Sequence, residues 1–332
     1  MPLSDARDLV TNALRQAGAS DSVATSVAQA LITAEAGGQN GHGFTRLSDY
    51  IAHIHSGKIN LNANISVTSR GPASLCINAD EGFAYPALDT ALSEGIPLAK
   101  KMGICIATVA NSHHCGALSI QVERIAREGL IGLMFANTPK AMAPWGGIEP
   151  IFGTNPIAFS APRDNTDPLV IDLSLSKVAR GKVMAAKKLG ETIPTGWALD
   201  VNGKATTDPD KALKGTMIPI GRSKGTALAL MVEILSAVFS GSALSLEAGS
   251  FFDAGNIAPR VGQTIIMISP GHSSDFVVRI ERLLHYIAAL DGVRLPGSRR
   301  QQAMRNAELH GILIPKSLET LMRKLTSGSK FK

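Results

Sequence analysis

Gly103-Ile-Cys-Ile-Ala-Thr-Val-Ala-Asn-Ser-His-His-Cys-Gly-Ala117 begins as an unbroken apolar run and ends in a polar turn that leads into a helical pattern over residues 117 to 128. A second apolar run, Leu130 to Asn137, follows that helix. Strand, turn, helix and strand in this order are α/β patterning. Further runs at Ser74 to Asn78, Leu169 to Leu173 and Thr264 to Ser269 predict more strands. The periodicity between them predicts helices at 86–101, 177–188, 223–240 and 274–290. The flanks read differently. Leu9, Val10, Ala13, Leu14 and Ala17 fall at helical spacing between a Ser4 cap and Gly18, and a second helix runs from Asp21 to Glu35. Ala36-Gly-Gly-Gln-Asn-Gly-His-Gly43 is too rich in glycine to continue it, which predicts a tight loop before a third helix from Phe44 to Ile54. The C-terminal stretch returns to helix, with Pro296-Gly297 as punctuation and a basic tail from Arg323 to Lys332. The expected organisation is a helical unit made by residues 1–70 and 285–332 around one α/β segment, 71–284.

Composition bounds the function. A chain of 332 residues, 45% hydrophobic and 18% charged, buries a sizeable core in one or two interlocked domains. No segment reaches the roughly 18 unbroken apolar residues of a membrane span. Met1-Pro-Leu-Ser-Asp-Ala-Arg leads directly into helix without the pattern of a secretory signal, so the cytoplasm is the expected compartment. Cys76, Cys105 and Cys115 have no CxxC spacing and read as free thiols. The formal charge is +6, but the cations are dispersed and not interleaved with aromatics, which argues against nucleic acid. Anionic small molecules account for the bias equally well.

Five stretches carry chemistry. His42 and Arg46 stand at a loop-to-helix junction. Imidazole exchanges a proton near neutral pH, and a guanidinium clamps a carboxylate through two parallel hydrogen bonds, so the pair suits hydride reduction of a 2-oxo acid. A solvated or structural histidine is the plainer reading of His42. His113, His114 and Cys115 lie between strand and helix, where three readings stand: a zinc site, histidines bonded within the turn, or contact with a cofactor. The segment from Pro144 to Phe159 packs glycines and small polar residues into a turn, either to approach a flat ligand or simply as a connection. Asp172 and Ser174 end a strand, placed to hold ribose hydroxyls or to cap the helix predicted at 177. Pro219-Ile-Gly-Arg-Ser-Lys-Gly225 places Lys224 at a helix start, where phosphates bind. No G-x-G-x-x-G follows any strand, so the ordinary dinucleotide fingerprint is missing.

Gly41-His-Gly-Phe-Thr-Arg46, Asn111-Ser-His-His-Cys-Gly116, Phe152-Gly-Thr-Asn-Pro-Ile-Ala-Phe159, Ala179-Arg-Gly-Lys182, Gly196-Trp-Ala-Leu-Asp200, Thr206-Thr-Asp-Pro209 and Lys224-Gly225 together resemble the type-2 malate/L-lactate dehydrogenase family, in order and over nearly the whole chain. The resemblance implies a non-Rossmann α/β fold, a mixed-sheet cofactor domain with a helical domain from both chain ends, a homodimer, and NADH or NADPH as cofactor. It implies His42 as proton donor and acceptor, and Arg46, Thr154, Arg180, Gly181 and Lys182 on the substrate side. His114, Cys115, Gly116, Ala117, Leu118, Asp172, Leu173, Ser174, Ser223 and Lys224 would line the cofactor, with no metal. Two positions depart from the family's pattern. Gly41 replaces the usual serine, and Lys182 stands where the cyclic-imine reductases carry aspartate. Lys182 resembles the hydroxy-acid branch, in which a cation favours a second anionic group, as in malate or sulfolactate. The segment Leu295-Pro-Gly-Ser-Arg-Arg300 instead resembles the imine reductases and the sulfolactate enzymes. The expected activity is therefore 2-hydroxy-acid dehydrogenation, with reduction of Δ1-pyrroline-2-carboxylate or Δ1-piperideine-2-carboxylate as the alternative.

Overall fold

The computed structural model describes residues 1–271, 274–314 and 316–326. At the N-terminus, α1 (Leu3–Gln16) and α2 (Asp21–Ala36) form as expected. Ser20 caps α2 by accepting from the Val23 amide, whereas the expected Ser4 cap does not form: α1 starts one residue earlier and Ser4 bonds the Asp5 carboxylate. The glycine-rich stretch after α2 is two single 3-10 turns, 40–42 and 44–46, that run into α3 (Leu47–His55).

The α/β part begins with β1 (Ser66–Gly71) and β2 (Ser74–Asn78), then α4 (Ala84–Met102), β3 (Ile104–Ser112), α5 (Leu118–Arg127) and β4 (Ile131–Ala136). It continues with β5 (Ile157–Ala161), β6 (Leu169–Leu173) and α6 (Arg180–Leu189). Next come β7 (Ala198–Leu199), β8 (Ala205–Thr206), α7 (Pro209–Lys214), β9 (Thr216–Met217), α8 (Ser223–Glu233) and β10 (Val261–Ile268). The predicted helix at 177 starts only at Arg180, and the one over 223–240 changes at 234–238 into a π-helical turn. The small sheet β8-β7-β9 has no counterpart in the sequence reading, because two-residue strands carry no periodicity.

The large sheet has the order β1-β2-β3-β10-β4-β5-β6. Only β2 and β3 pair in parallel, across the α4 crossover, and the other neighbours are antiparallel. β10, with the buried run Val261-Gly-Gln-Thr-Ile-Ile-Met, inserts late in the chain between β3 and β4. A mixed sheet closed in this way cannot be a doubly wound parallel fold, which explains the absent fingerprint. α9 (Phe276–Ala288), α10 (Ser298–His310) and α11 (Lys316–Thr326) complete the chain, and the basic tail beyond Thr326 lies outside the described residues.

One apolar core joins α1, α2 and α3 to Ala307, Ile312 and Met322 from the C-terminal end, so both ends of the chain build one helical unit. A second core lies between the sheet and helices α4 and α5, and a third packs β4, α6 and α8 around Phe135, Met142 and Val183. The loop 36–46 and the turn 111–117 meet where the first two cores join.

Candidate active site

The His42 loop is built from local bonds. Glu35, in the last turn of α2, accepts from the Phe44 amide (2.9 Å) and from Asn40 Nδ2 (2.8 Å). Its carboxylate occupies the place a side chain at Gly43 would need, since a Cβ there would lie 2.1 Å from Oε2. Arg46 Nε donates to the Gly41 carbonyl at 2.8 Å, which folds the guanidinium back over the loop. His42 stacks on His114, with ring centroids 5.3 Å apart and planes 12° from parallel. The two sequence motifs that carry histidines thus converge. Burial, reinforced by the Arg46 charge, lowers the His42 pKa to about 4, so the imidazole is neutral at pH 7. Its Nδ1 is buried and has no hydrogen-bond partner.

His113 and His114 point to different partners. His114 Nδ1 meets Tyr50 Oη at 2.8 Å, and Tyr50 Oη meets Tyr85 Oη at 2.9 Å. His113 Nε2 meets His53 Nδ1 at 3.0 Å, and His53 Nε2 lies 2.7 Å from the Asp253 carbonyl. A carbonyl only accepts, so His53 carries its proton on Nε2. Burial holds both rings below the usual imidazole pKa, and in the neutral pair His113 Nε2 donates to His53 Nδ1. The zinc reading fails on this geometry, because the two imidazoles diverge. Burial also raises the Cys115 pKa to about 12, which keeps a proton on the sulfur. Among the described residues no group of three or more His, Cys, Asp or Glu side chains is arranged to hold a metal ion.

Phe251-Phe252-Asp253, which the sequence reading passed over, closes the site from a distant part of the chain. Phe251 packs edge-on against His114 at 4.9 Å. Phe252 lies under both the Arg46 guanidinium (4.8 Å) and that of Arg180 (5.8 Å), the first residue of α6. Arg180 is braced by the carbonyls of Lys140 and Leu213. Arg46, His114 and Arg180 therefore share one aromatic wall, and His42 joins them through its stack on His114. Lys182, two residues beyond Arg180 in the first turn of α6, is exposed and makes no ion pair among the described residues; Gly181 between them has open space where a side chain would begin.

The remaining candidates form a second group. Asp172 Oδ2 accepts from the Ser119 amide at 2.9 Å and from Gln39 Nε2 at 3.5 Å, so it caps α5 and not a helix at 177. Burial raises its pKa, with the Ser119 amide pulling the other way. Gln39 also accepts from Ser119 Oγ, which ties the His42 loop to the start of α5. Gly116 has φ +70°, and the Tyr85 hydroxyl would lie 2.6 Å from a Cβ there, so glycine is required on both counts. Cys115, Ala117 and Leu118 are buried, and only backbone of this stretch is left to face a ligand. Leu173 is exposed and Ser174 turns back to bond Ser176. The Thr154 carbonyl accepts from Leu175 N (2.8 Å), and the Leu175 carbonyl in turn accepts from Ile220 N (2.8 Å). Thr154, Ser174 and the turn before α8 are thereby joined. Ser223 and Lys224 open α8, both exposed, and Gly225 admits no Cβ because one would lie 2.0 Å from the Ile220 carbonyl. Cations at the start of this helix suit a phosphate.

The sequence profile described as Malate/L-lactate dehydrogenase matches residues 1–322. The chain is 46% identical over 322 residues to the (2R)-3-sulfolactate dehydrogenase (NADP(+)) of Chromohalobacter salexigens, covering 97% of this chain and 96% of that protein. It is 35% identical over 317 residues to the Delta(1)-pyrroline-2-carboxylate/Delta(1)-piperideine-2-carboxylate reductase of Pseudomonas putida, with coverage of 95% and 93%. Its fold matches the crystal structure of delta1-piperideine-2-carboxylate reductase from Pseudomonas syringae pvar. tomato with a TM-score of 0.93 at 34% identity, covering 98% of this chain and 99% of that one.

Proposed function

The chain belongs to the malate/L-lactate dehydrogenase family and is an NAD(P)-dependent oxidoreductase of the 2-hydroxy/2-oxo acid type, and we propose that its substrate carries a second anionic group, as 3-sulfolactate and malate do. The observation that carries this reading is Lys182, an exposed cation two residues beyond Arg180 in the first turn of α6, which makes no ion pair among the described residues. Identity of 46% to a sulfolactate dehydrogenase supports it.

The residues present fit a nicotinamide dinucleotide. Arg222, Ser223 and Lys224 at the α8 start would hold its phosphates, with Asp172 to Ser174 and the backbone of His114 to Leu118 beside them. When bound, the nicotinamide supplies or takes the hydride at C2. The chain's own residues do the rest. Arg46 clamps the substrate carboxylate, with Arg180 beside it and Phe252 excluding water beneath both. Thr154 and Gly181 line the substrate side. His42, neutral in the free enzyme, takes the hydroxyl proton during oxidation. A carboxylate seated on Arg46 offsets the charge that disfavours the imidazolium, so bound substrate raises the His42 pKa toward the range needed to donate in reduction.

The assembly we propose is a homodimer. Leu230, Met231, Ile234 and Val238 form an exposed apolar stripe along α8 and the π turn, which a second copy would cover. The helical unit of residues 1–70 and 285–332 would face the substrate and add to dimer contacts, with 71–284 holding the cofactor. Three free cysteines suit a reducing cytoplasm. Among the described residues no helix is long and apolar enough to cross a membrane.

A second reading, cyclic-imine reduction, draws on the 35% identity and the 0.93 TM-score to such reductases. One assay separates the two: oxidation of NADH and NADPH followed by absorbance, with sulfopyruvate, oxaloacetate, pyruvate and Δ1-pyrroline-2-carboxylate. The proposal expects the two doubly anionic oxo acids to exceed pyruvate in kcat/KM, and Lys182→Asp to narrow that gap by about tenfold. Turnover of the cyclic imine alone overturns it.

A further inference from the structure

Lys58 is buried to 1% exposure, in the turn that follows α3, and its ammonium is spent on one residue. Nζ donates to the Asp253 carbonyl at 2.9 Å and to Asp253 Oδ1 at 2.8 Å. The same carbonyl accepts from His53 Nε2, so three hydrogen bonds from the α3 region converge on a single residue nearly two hundred positions away in sequence. Burying an ammonium is costly unless it is well partnered, and an apolar residue would fill the space at lower cost. A stability role alone gives no reason for the charge.

The residue that Lys58 holds belongs to a strap, residues 249–258, without helix or strand. The base of the strap is closed by Gly249, where a Cβ would lie 2.1 Å from the Ile257 carbonyl. Its tip, 252–257, is exposed and has few ties besides the Asp253 anchor: Phe252 N donates to Ser250 Oγ and Gly255 N to Asp253 Oδ1. Immediately before the anchor, Phe251 covers His114 and Phe252 lies under Arg46 and Arg180. Anchor and aromatic wall are adjacent links of one irregular segment. A backbone fixed at residue 253 fixes where the Phe252 ring lies.

We propose that Lys58 is a positioning residue for the substrate site: by seating Asp253 it holds Phe252 against Arg46 and Arg180 and so sets the carboxylate clamp. The inference rests on the reading of Arg46 and Arg180 as the carboxylate clamp. Lys58 touches neither substrate nor cofactor, and its effect passes through the strap.

Hydrogen exchange on the cofactor-free protein tests the anchoring without reference to activity. Lys58→Met should speed exchange of the 252–255 amides by about tenfold or more, as expected for losing buried charge-assisted hydrogen bonds, while β3 and β10 amides keep their protection. Asp253→Asn, at an exposed side chain that threatens no core, should give a smaller increase in the same peptides and stands in if Lys58→Met does not fold. Kinetics then test the consequence. Lys58→Met should raise KM for the oxo acid about tenfold with the KM for NAD(P)H changed less than about twofold, and Phe252→Ala should do the same. The double variant should be no worse than either single one, because both act on the same ring. Unchanged exchange in the strap, or effects of the two substitutions that multiply, overturns the proposal. If strap exchange rises as expected but no 2-oxo acid is a substrate of the unaltered enzyme, the proposed function fails and the anchoring of the strap by Lys58 stands.

Discussion

Two irregular segments cover the site, and they differ in how they are held. The His42 loop is fixed mostly by neighbours in sequence, Glu35 bonding Phe44 nine residues on and Arg46 bonding Gly41 five residues back, with Gln39 alone hydrogen-bonded through its side chain to the distant Ser119 and Asp172. The strap carrying Phe251 and Phe252 is fixed from far away, by Lys58 and His53 through separations of 195 and 200 residues. Local anchors leave a signature of glycines, a capping acid and a returning arginine that a reader can find in sequence. Remote anchors leave none, because nothing near Asp253 records that a lysine will be buried against it. The local loop presents His42, and the remote strap supplies the aromatic wall beside Arg46, His114 and Arg180.

The comparison is sharpest at Gly43. Its Cβ position is filled by the Glu35 carboxylate, so Gly43→Ala must displace that carboxylate and release the Phe44 and Asn40 bonds. The expected outcome is a loss of about 1–3 kcal/mol in stability, measured by urea unfolding, with turnover lowered by tens of fold as His42 leaves its stack. Retention of full activity would mean that the loop tolerates rearrangement and that its anchors do not matter.

Acid should act on both segments through their histidines. His42, His53, His113 and His114 all have pKa values lowered by burial, so the folded protein binds fewer protons than the unfolded chain as pH drops below about 6.5. Stability therefore rises with pH across this window, which for His42 extends down to about pH 4. Glu35 and Asp172, whose pKa values are raised, work in the other direction but are fewer. Thermal melts should show Tm falling from pH 7.5 to pH 5, and a Tm that holds or climbs over that interval would contradict the buried neutral histidines.

The smallest effect is expected at Gly41. Nothing lies within 4 Å of a Cβ built there, so Gly41→Ser should leave stability within about 0.5 kcal/mol and turnover undiminished. A larger loss on thermal unfolding would show that this side of the loop is packed more tightly than its neighbours indicate.

How much of this was legible in sequence follows the same division. The helices with clear periodicity and the strands β2, β3, β4, β6 and β10 could be read directly, whereas β1 could not, since its largely exposed Ser-Val-Thr-Ser-Arg-Gly run carries no apolar signal. β10's place between β3 and β4 could not, since an apolar run gives a strand but not its neighbours. Asp172 could be seen as a capping acid, but the helix it caps, α5, precedes it by fifty residues and not by following it in the chain. His113 and His114 were visible as a cluster, while their separation into a tyrosine pair and a histidine–carbonyl network depended on Tyr50, Tyr85, His53 and Asp253. For the strap the only sequence signal was two adjacent phenylalanines in a chain with 5% aromatic residues.

The central claim is that the local loop presents His42 as the proton-transferring group. The direct test is His42→Ala, with NADPH binding followed by fluorescence titration and turnover by absorbance on the best substrate of the panel. The account expects cofactor affinity to hold within a few fold while kcat falls by about a hundredfold or more, the scale of a lost general acid. Near-normal kcat would contradict it and move the role to His114, the ring stacked against it.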